Sequence, residues 1–543
     1  MKIVRFTQSD AKGRNFTERR TAALSCGRVA LISCMIGGLT TGIAAQSLRP
    51  KQMKALGQVD ARFVSYNVEA VEVTGGRFWA PFKSMPKNVG AIAPGNFGGI
   101  RGDDARFQYR APIDLTNAKL RKLASALGPS YVRVSGSWRN STFFQDDDQP
   151  ALKTPPAGFQ NVMTRAQWKG VVDFARAVDG EIVASVSTSP GTHDAEGVWT
   201  TDHAKQWLDY TKSIGGHIAA TEYMNEPTIM NMRGVAGHYG AKEYARDSKI
   251  FAEFLRKESP GTLYLGPSSA SEGVPQTPPL PGGRLTSTET LMKEIGPLYD
   301  GFSYHVYYTR SHRCSGNRGT DVNNVLTQDW LDRGRVANQF FTDLRDRFLP
   351  GKDIWLTETG EASCGGDTWA AEFVDSFRLL DQFGVLAQKG VKSIMYNTLA
   401  SSDYGMLDEE TYEPRPNYWA ALLWKRTMGT RSLDPSLAPT TDLRVYAQCM
   451  KDRPGGVSLL LLNVSRTSAQ TVQIPADGTR YTLSSPELLS QTVMLNGREL
   501  KVAADGTVPQ LQGEKFRRGN AKLDPLTITV LTLPGVSNPS CAK

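Results

Sequence analysis

Through the middle of this chain, short β-rich apolar runs alternate with stretches whose apolar residues recur at helical spacing, as a parallel α/β architecture requires. Eight runs read as strands: Arg62–Glu69, Tyr131–Gly136, Glu181–Thr188, Ala220–Pro227, Leu263–Ser269, Phe302–Tyr308, Ile354–Glu358 and Ser393–Leu399. Helical patterns separate them. Thr164-Arg165-Ala166-Gln167 has the form of a capping box, opening a helix with Val171, Val172, Phe174 and Ala175 on its buried side. Ala241–Glu258 and Trp369–Gln388 have the same spacing. The longest strand-to-strand interval is the first, which predicts extra loop structure between Ala70 and Asp114. Eight strands with helical crossovers predict a (β/α)₈ TIM barrel. The alternative is a doubly wound open sheet, which normally has fewer strands and carries a phosphate-binding glycine loop that this sequence lacks.

After about Thr430 the helical periodicity stops. Arg444–Met450, Val457–Val464, Thr471–Ile474, Tyr481–Leu483, Thr492–Leu495 and Leu526–Leu533 are β-rich runs bounded by Gly, Pro, Asn and Asp. They predict a small antiparallel β-sandwich. The expected organisation is a barrel over 60–430 and a sandwich over 431–543, with 46–60 a candidate for one more sandwich strand.

Charge changes the picture mainly at the N-terminus. Of the 63 basic and 54 acidic side chains, seven and two lie in residues 1–45, so the net +9 falls to +4 without them. No nucleic-acid motif is present, and nucleic acid is not an expected partner. Lys2, Arg5, Lys12, Arg14, Arg19, Arg20 and Arg28 precede an apolar, small-residue run from Val29 to Ala45, which reads as a signal peptide cleaved near Ala45. The expected localisation is periplasmic or secreted, with no membrane span once the signal is removed. Four of the six cysteines then remain, Cys314, Cys364, Cys449 and Cys541, bound for an oxidising compartment and at spacings that fit no zinc pattern.

The candidate chemistry lies at strand ends, where barrels of this kind build their active sites. The fourth run ends Tyr223-Met224-Asn225-Glu226-Pro227, and the seventh reads Ile354-Trp355-Leu356-Thr357-Glu358-Thr359-Gly360. One buried carboxylate at a strand end is unremarkable, but two on facing strands supply the pair that glycoside hydrolysis needs. Asn225 offers a neutral amide for a sugar hydroxyl. Alternation places His305 and Tyr307 on one side of the sixth strand, where a Tyr hydroxyl would help keep Glu358 ionised while Glu226 stays protonated.

These motifs give the chain a specific resemblance. Asn225-Glu226-Pro227 with Glu358 resembles the clan of retaining (β/α)₈ glycosidases. Within it, several further stretches resemble the heparanase and β-glucuronidase family, glycoside hydrolase family 79: Phe63-Val64-Ser65 with Glu69, Tyr131-Val132-Arg133-Val134-Ser135-Gly136-Ser137, His305-Val306-Tyr307-Tyr308, Cys364-Gly365-Gly366, Asp403-Tyr404-Gly405 and Arg444-Val445-Tyr446. The resemblance runs from about residue 60 to the C-terminus. It implies Glu226 as acid/base and Glu358 as nucleophile. Glu69, Ser137 and Asn225 would contact a uronic sugar, and Gly365 and Tyr404 would meet its carboxylate. The family often has Asp at Glu69, Thr at Ser137 and Tyr at Ser363, so this chain departs there.

The expected substrate is a uronic-acid-containing glycan or glucuronide, with neither metal nor organic cofactor. A neutral-sugar glycosidase of the same clan, an inactive carbohydrate-binding protein and a transglycosylase stay open as alternatives. The loop from Thr309 to Gly319 carries Arg310, His312, Arg313 and Arg318 without an acid, which would favour an anionic substrate. Cys314 lies six residues past Tyr308, and Cys364 six past Glu358. Loops of like length leaving neighbouring strands about 4.8 Å apart can bring two such Cα atoms within bonding range. This predicts Cys314–Cys364, with Cys449–Cys541 as a second bridge.

Overall fold

A computed structural model describes residues 46–86, 104–232, 239–274, 286–316, 319–437 and 439–542. The expected signal segment and Arg318 lie outside the described residues. Eight parallel strands close into a barrel: β1 (Val64–Asn67), β2 (Ser130–Val134), β3 (Gly180–Ser185), β4 (Ile218–Glu222), β5 (Leu263–Ser269), β6 (Gly301–Arg310), β7 (Asp353–Ser363) and β8 (Ile394–Tyr396), with β8 pairing back onto β1. Each falls on one of the eight expected runs. The fold is therefore the TIM barrel, not the open sheet.

Period-two alternation decides what fills it. Tyr131, Val183, Ala220, Leu265, Trp355 and Met395 form one small apolar cluster inside the barrel. Two residues further along the strands come Arg133, Ser185 and Glu222, also buried but polar. The helices pack outside. Helix Arg165–Ala177 opens on the expected capping box, since the Thr164 side chain accepts from the Gln167 amide while Gln167 Oε1 accepts from Thr164 N at 2.9 Å. Its buried face is Trp168, Val171, Val172, Phe174 and Ala175.

Strand ends differ from expectation in two ways. β6 and β7 run past Tyr308 and Glu358 and stay paired to Arg310 and Ser363, because the pair rises above the rim as a two-stranded arm. β4 instead stops at Glu222, which puts Glu226 in the turn beyond it. The long first interval holds helix Ala70–Thr74 and a hairpin of Gly76–Trp79 with Phe107–Arg110.

The C-terminal strands form a nine-stranded and a three-stranded sheet. Strand Val457–Asn463 is apolar on both faces because both are covered. Leu459 and Leu461 pack between the two sheets with Val472, Ile474, Ala521 and Leu523, whereas Leu460 and Leu462 join the barrel's core. Residues ahead of the barrel take part: Ala55–Gln58 pairs antiparallel with Met428–Leu433, and Gln46–Ser47 pairs parallel with Gln470–Ile474. The antiparallel expectation thus has one parallel exception, since a strand arriving from the other end of the chain is not bound by hairpin geometry. No helix among the described residues is long and apolar enough to cross a membrane.

Candidate active site

At the C-terminal ends of the barrel strands the inward positions become carboxylates. Glu226 and Glu358 are 6% and 5% exposed, and an oxygen of one lies within 4.8 Å of an oxygen of the other. Glu226 has φ +52°, a left-handed conformation that non-glycine residues seldom adopt without a surrounding structure that holds them there. Glu358 is held at both oxygens. The Tyr307 hydroxyl donates to Oε1 at 2.7 Å, and Arg133 Nη1 donates to Oε2 at 3.0 Å.

Arg133 organises the floor. It is completely buried and donates to Glu222 (2.8 Å), Asn67 (2.8 Å) and Asn225 Oδ1 (2.9 Å) as well as to Glu358. Burial works against the charge on Glu222, but the Arg133 guanidinium outweighs it and holds its carboxyl below the usual range. Arg133 Nη2 also lies 3.2 Å from His305 Nε2. A guanidinium only donates, so Nε2 must accept and the ring proton sits on Nδ1, 3.3 Å from Glu226 Oε1. Glu226, His305 and Glu358 are also the one set among the described residues whose ligand atoms are close enough to share a metal ion. The adjoining guanidinium opposes a cation there.

Glu69 caps helix Ala70–Thr74 and faces the same cleft. Burial first, and the charge of Glu358 second, push its carboxyl well above the usual range. Gly136 makes this approach possible: its φ is +86°, and a Cβ there would lie 1.6 Å from Glu69 Oε2. Asn397 Nδ2 ties the wall together, donating to Glu69 (3.0 Å), Tyr307 (2.8 Å) and the Tyr404 hydroxyl (3.3 Å). Burial raises both phenols well above their ordinary range, so both keep their protons.

The cleft is lined by Glu69, Ser137, Glu226, His305, Tyr307, Glu358 and Tyr404. Two expected site residues are placed differently. Neither is among the residues lining the cleft: the Asn225 oxygen accepts from Arg133, and Gly365 sits beside the lining residue Cys364, its carbonyl accepting from Ser402 at 3.0 Å. The basic loop is a correction. Arg313 is buried, pairs with Asp403 and donates to the Ala80 carbonyl, while His312 pairs with Asp367 at 2.6 Å. Of the described cations of that loop, Arg310 lines the cleft. Both expected disulfides are present, Cys314–Cys364 (Cα–Cα 6.4 Å) and Cys449–Cys541 (5.4 Å). Disulfides suit an oxidising compartment.

Comparison with known proteins decides the family. Residues 110–384 match the model described as glycosyl hydrolase family 79, N-terminal domain. The chain belongs to glycosyl hydrolase family 79. It is a glycoside hydrolase, and its family 79 relatives align along most of their length. Baicalin-beta-D-glucuronidase of Scutellaria baicalensis is 32% identical over 478 residues, covering 78% of this chain and 84% of that one. Heparanase-like protein 1 of Arabidopsis thaliana is 27% identical over 493 residues (79% and 86%), and Hyaluronoglucuronidase of Hirudo nipponia 26% over 507 (84% and 98%). Among solved structures, a 4-O-alpha-L-rhamnosyl-beta-D-glucuronidase from Fusarium oxysporum 12S superposes with TM-score 0.58 at 15% identity, covering 90% of this chain and 99% of that one. A family 51 alpha-L-arabinofuranosidase from Bifidobacterium longum gives 0.56 at 14%, covering 90% and 99%. These structural likenesses establish the shared fold.

Sequence reasoning missed Arg133, Glu222 and Asn397 as site residues. Arg133 stood inside a quoted motif without a role.

Proposed function

We propose that this family 79 enzyme is a retaining β-glycosidase of glucuronic-acid-containing glycans or glucuronides, with Glu226 as acid/base and Glu358 as nucleophile. The observation that carries the reading is the closeness of the two carboxyls, with oxygens within 4.8 Å. Retaining pairs stand roughly 5–5.5 Å apart, whereas inverting pairs leave roughly 6.5–9.5 Å for a water. Glu226 protonates the departing glycosidic oxygen as Glu358 attacks the anomeric carbon. Glu226 then takes a proton from water, which releases the sugar from Glu358.

The surrounding groups fit those roles. Tyr307 and Arg133 fix both oxygens of Glu358, so the attacking lone pair has one direction. Asn225, whose oxygen accepts from Arg133, is assigned through its amide nitrogen to a sugar hydroxyl. Ser137 and a protonated Glu69 supply further hydrogen-bonding groups. The Tyr404 hydroxyl and the Gly365 amide are assigned to the uronate carboxylate. Three relatives and neighbours are named for glucuronides, which supports that substrate class. The protein is assigned to export through residues 1–45, with a barrel over 60–430 and a sandwich over 431–543 that recruits 46–60.

The test is the stereochemistry of the first product, followed by proton NMR on an aryl β-glucuronide and the matching β-glucoside. The β-anomer is expected first, with the glucuronide preferred. An α-anomer formed first would end the retaining mechanism, and preference for the glucoside would move the substrate to neutral sugars.

A further inference from the structure

At the opposite end of the barrel, where β1 and β2 begin, a second cavity of about 570 Å³ lies between the barrel floor and the hairpin joining strands Leu443–Met450 and Val457–Asn463. That is within the size range of small-ligand pockets. Four cations line it, Lys425, Arg431, Lys451 and Arg453, against two acids, Asp60 and Asp452.

Three of the cations are held by backbone carbonyls. Lys425 is 7% exposed, and its ammonium donates to the carbonyls of Pro129 and Ala61. Lys451 Nζ donates to the Lys425 carbonyl at 2.9 Å, and Arg431 Nη1 to the Ser540 carbonyl at 2.6 Å. Among the described residues none of the four forms an ion pair with a carboxylate. Asp60 is engaged elsewhere, accepting from its neighbour Arg62 N at 2.7 Å and lying 3.9 Å from Lys392. A buried ammonium is ordinarily paired with a carboxylate, because carbonyls solvate its charge without cancelling it. Burial, with the charges of Lys451 and Arg62 adding to it, pushes Lys425 down to about 7. A bound anion would hold Lys425 charged, so that the occupied wall carries four positive side chains against two negative ones, its most buried cation having no carboxylate bonded to it.

We infer that this cavity is a second binding site, separate from the sugar cleft, for a dianionic oxyanion such as sulfate or phosphate, free or carried on a saccharide. The charge surplus matches a dianion, and the volume leaves room for one sugar ring beside it. The site does not depend on the catalytic assignment, because its residues lie at the other end of the strands.

The experiment follows thermal unfolding of the full chain in sodium sulfate against sodium chloride at constant ionic strength, which removes general screening. A parallel titration uses a sulfated monosaccharide. A saturable rise in Tm beyond chloride is expected, since a ligand of the native state stabilises it. Lys451→Ala/Arg453→Ala alters the hairpin turn without touching the core and should weaken the apparent affinity by about tenfold or more. Asp452→Asn should tighten it. A response to both ligands supports a site for the bare oxyanion, and a response to the sulfated sugar alone supports a saccharide site. Glycosidase turnover should be unchanged at saturating sulfate. Absence of any rise with either ligand, an equal rise in the double variant, or competitive inhibition of hydrolysis would overturn the inference.

Discussion

At the mouth of the barrel four carboxylates, Glu69, Glu222, Glu226 and Glu358, crowd around one guanidinium, Arg133. At the base, the inward positions of the same strands are Tyr131, Val183, Ala220, Leu265, Trp355 and Met395, with no charge among them. A step of two residues along a strand separates the two worlds: Tyr131 from Arg133, Val183 from Ser185, Ala220 from Glu222. The base is stable because apolar groups leave water there, and it needs no geometry beyond close packing. The mouth must hold buried charge, so nearly every member is tied to another, and those ties leave the reacting groups with one orientation. The difference teaches that this barrel spends its stability where it holds its chemistry.

The largest expected effect breaks the mouth. Glu358→Gln should lower turnover by at least about 10⁴-fold on every substrate, because no other side chain is placed to form the glycosyl-enzyme. Near-normal turnover in single-turnover assays would remove Glu358 from its role. Breaking the base should act on stability instead. Trp355 is 1% exposed and packs on Tyr131 at 5.2 Å between ring centroids. Trp355→Ala should cost about 3–5 kcal/mol by urea unfolding, while kcat per folded molecule changes far less. A selective loss of kcat at unchanged stability would erase the contrast between the ends.

Two smaller effects sharpen it. Tyr404→Phe should lose about 1.5–3 kcal/mol of transition-state binding for glucuronides and much less for glucosides, read as the ratio of kcat/KM values. Equal losses would take Tyr404 out of specificity. Glu361, on the arm of β7, is a buried carboxyl above the rim, beside Asp367 and Asp375. Its Oε1 accepts from Asp367 N at 2.9 Å, and among the described residues Oε2 has no hydrogen-bond partner. Burial first, and the charge of Asp375 next, push it up from 4.5 to about 8. A carboxyl raised in the native state stabilises fully below pH 4.5, and that contribution is lost as pH rises through about 8. Tm of Glu361→Gln should therefore fall less steeply than that of the parent chain across this window. Parallel pH profiles would show that Glu361 does not ionise there.

The barrel was legible because each of its strands is covered on both sides and reads as an apolar run of its own. Glu226 and Glu358 were legible because a carboxylate interrupts such a run. Arg133 gave no comparable signal. One arginine in a strand reads locally as an outward residue, and its partners Glu222 and Glu358 lie 89 and 225 positions away. Asn397 is the same case, meeting Glu69 across 328 positions. Strand Gly519–Leu523 was passed over because only Ala521 and Leu523 face the core, too few for a pattern. The basic loop misled for a related reason. Charge can be counted along a chain, but whether an arginine faces solvent or closes onto carbonyls depends on residues far from it.

The strand Ala55–Gln58 sets the order in which this protein can be assembled. It leaves the ribosome before the barrel does, yet the strand it pairs with is made hundreds of residues later, as the bond from Ser432 Oγ to the Gly57 carbonyl, 375 positions apart, records. Asn538 reaches back further still and clasps the carbonyls of Pro50 and Met53. The outer sheets therefore cannot be completed while synthesis is under way, and the usual progression of finishing one part before the next is begun is closed to this chain. The outer sheets close only when residues 50–58 meet the strands that follow the barrel. Removal of residues 46–58 would leave strand Met428–Leu433 as a bare edge, with aggregation rather than a smaller working enzyme as the expected outcome.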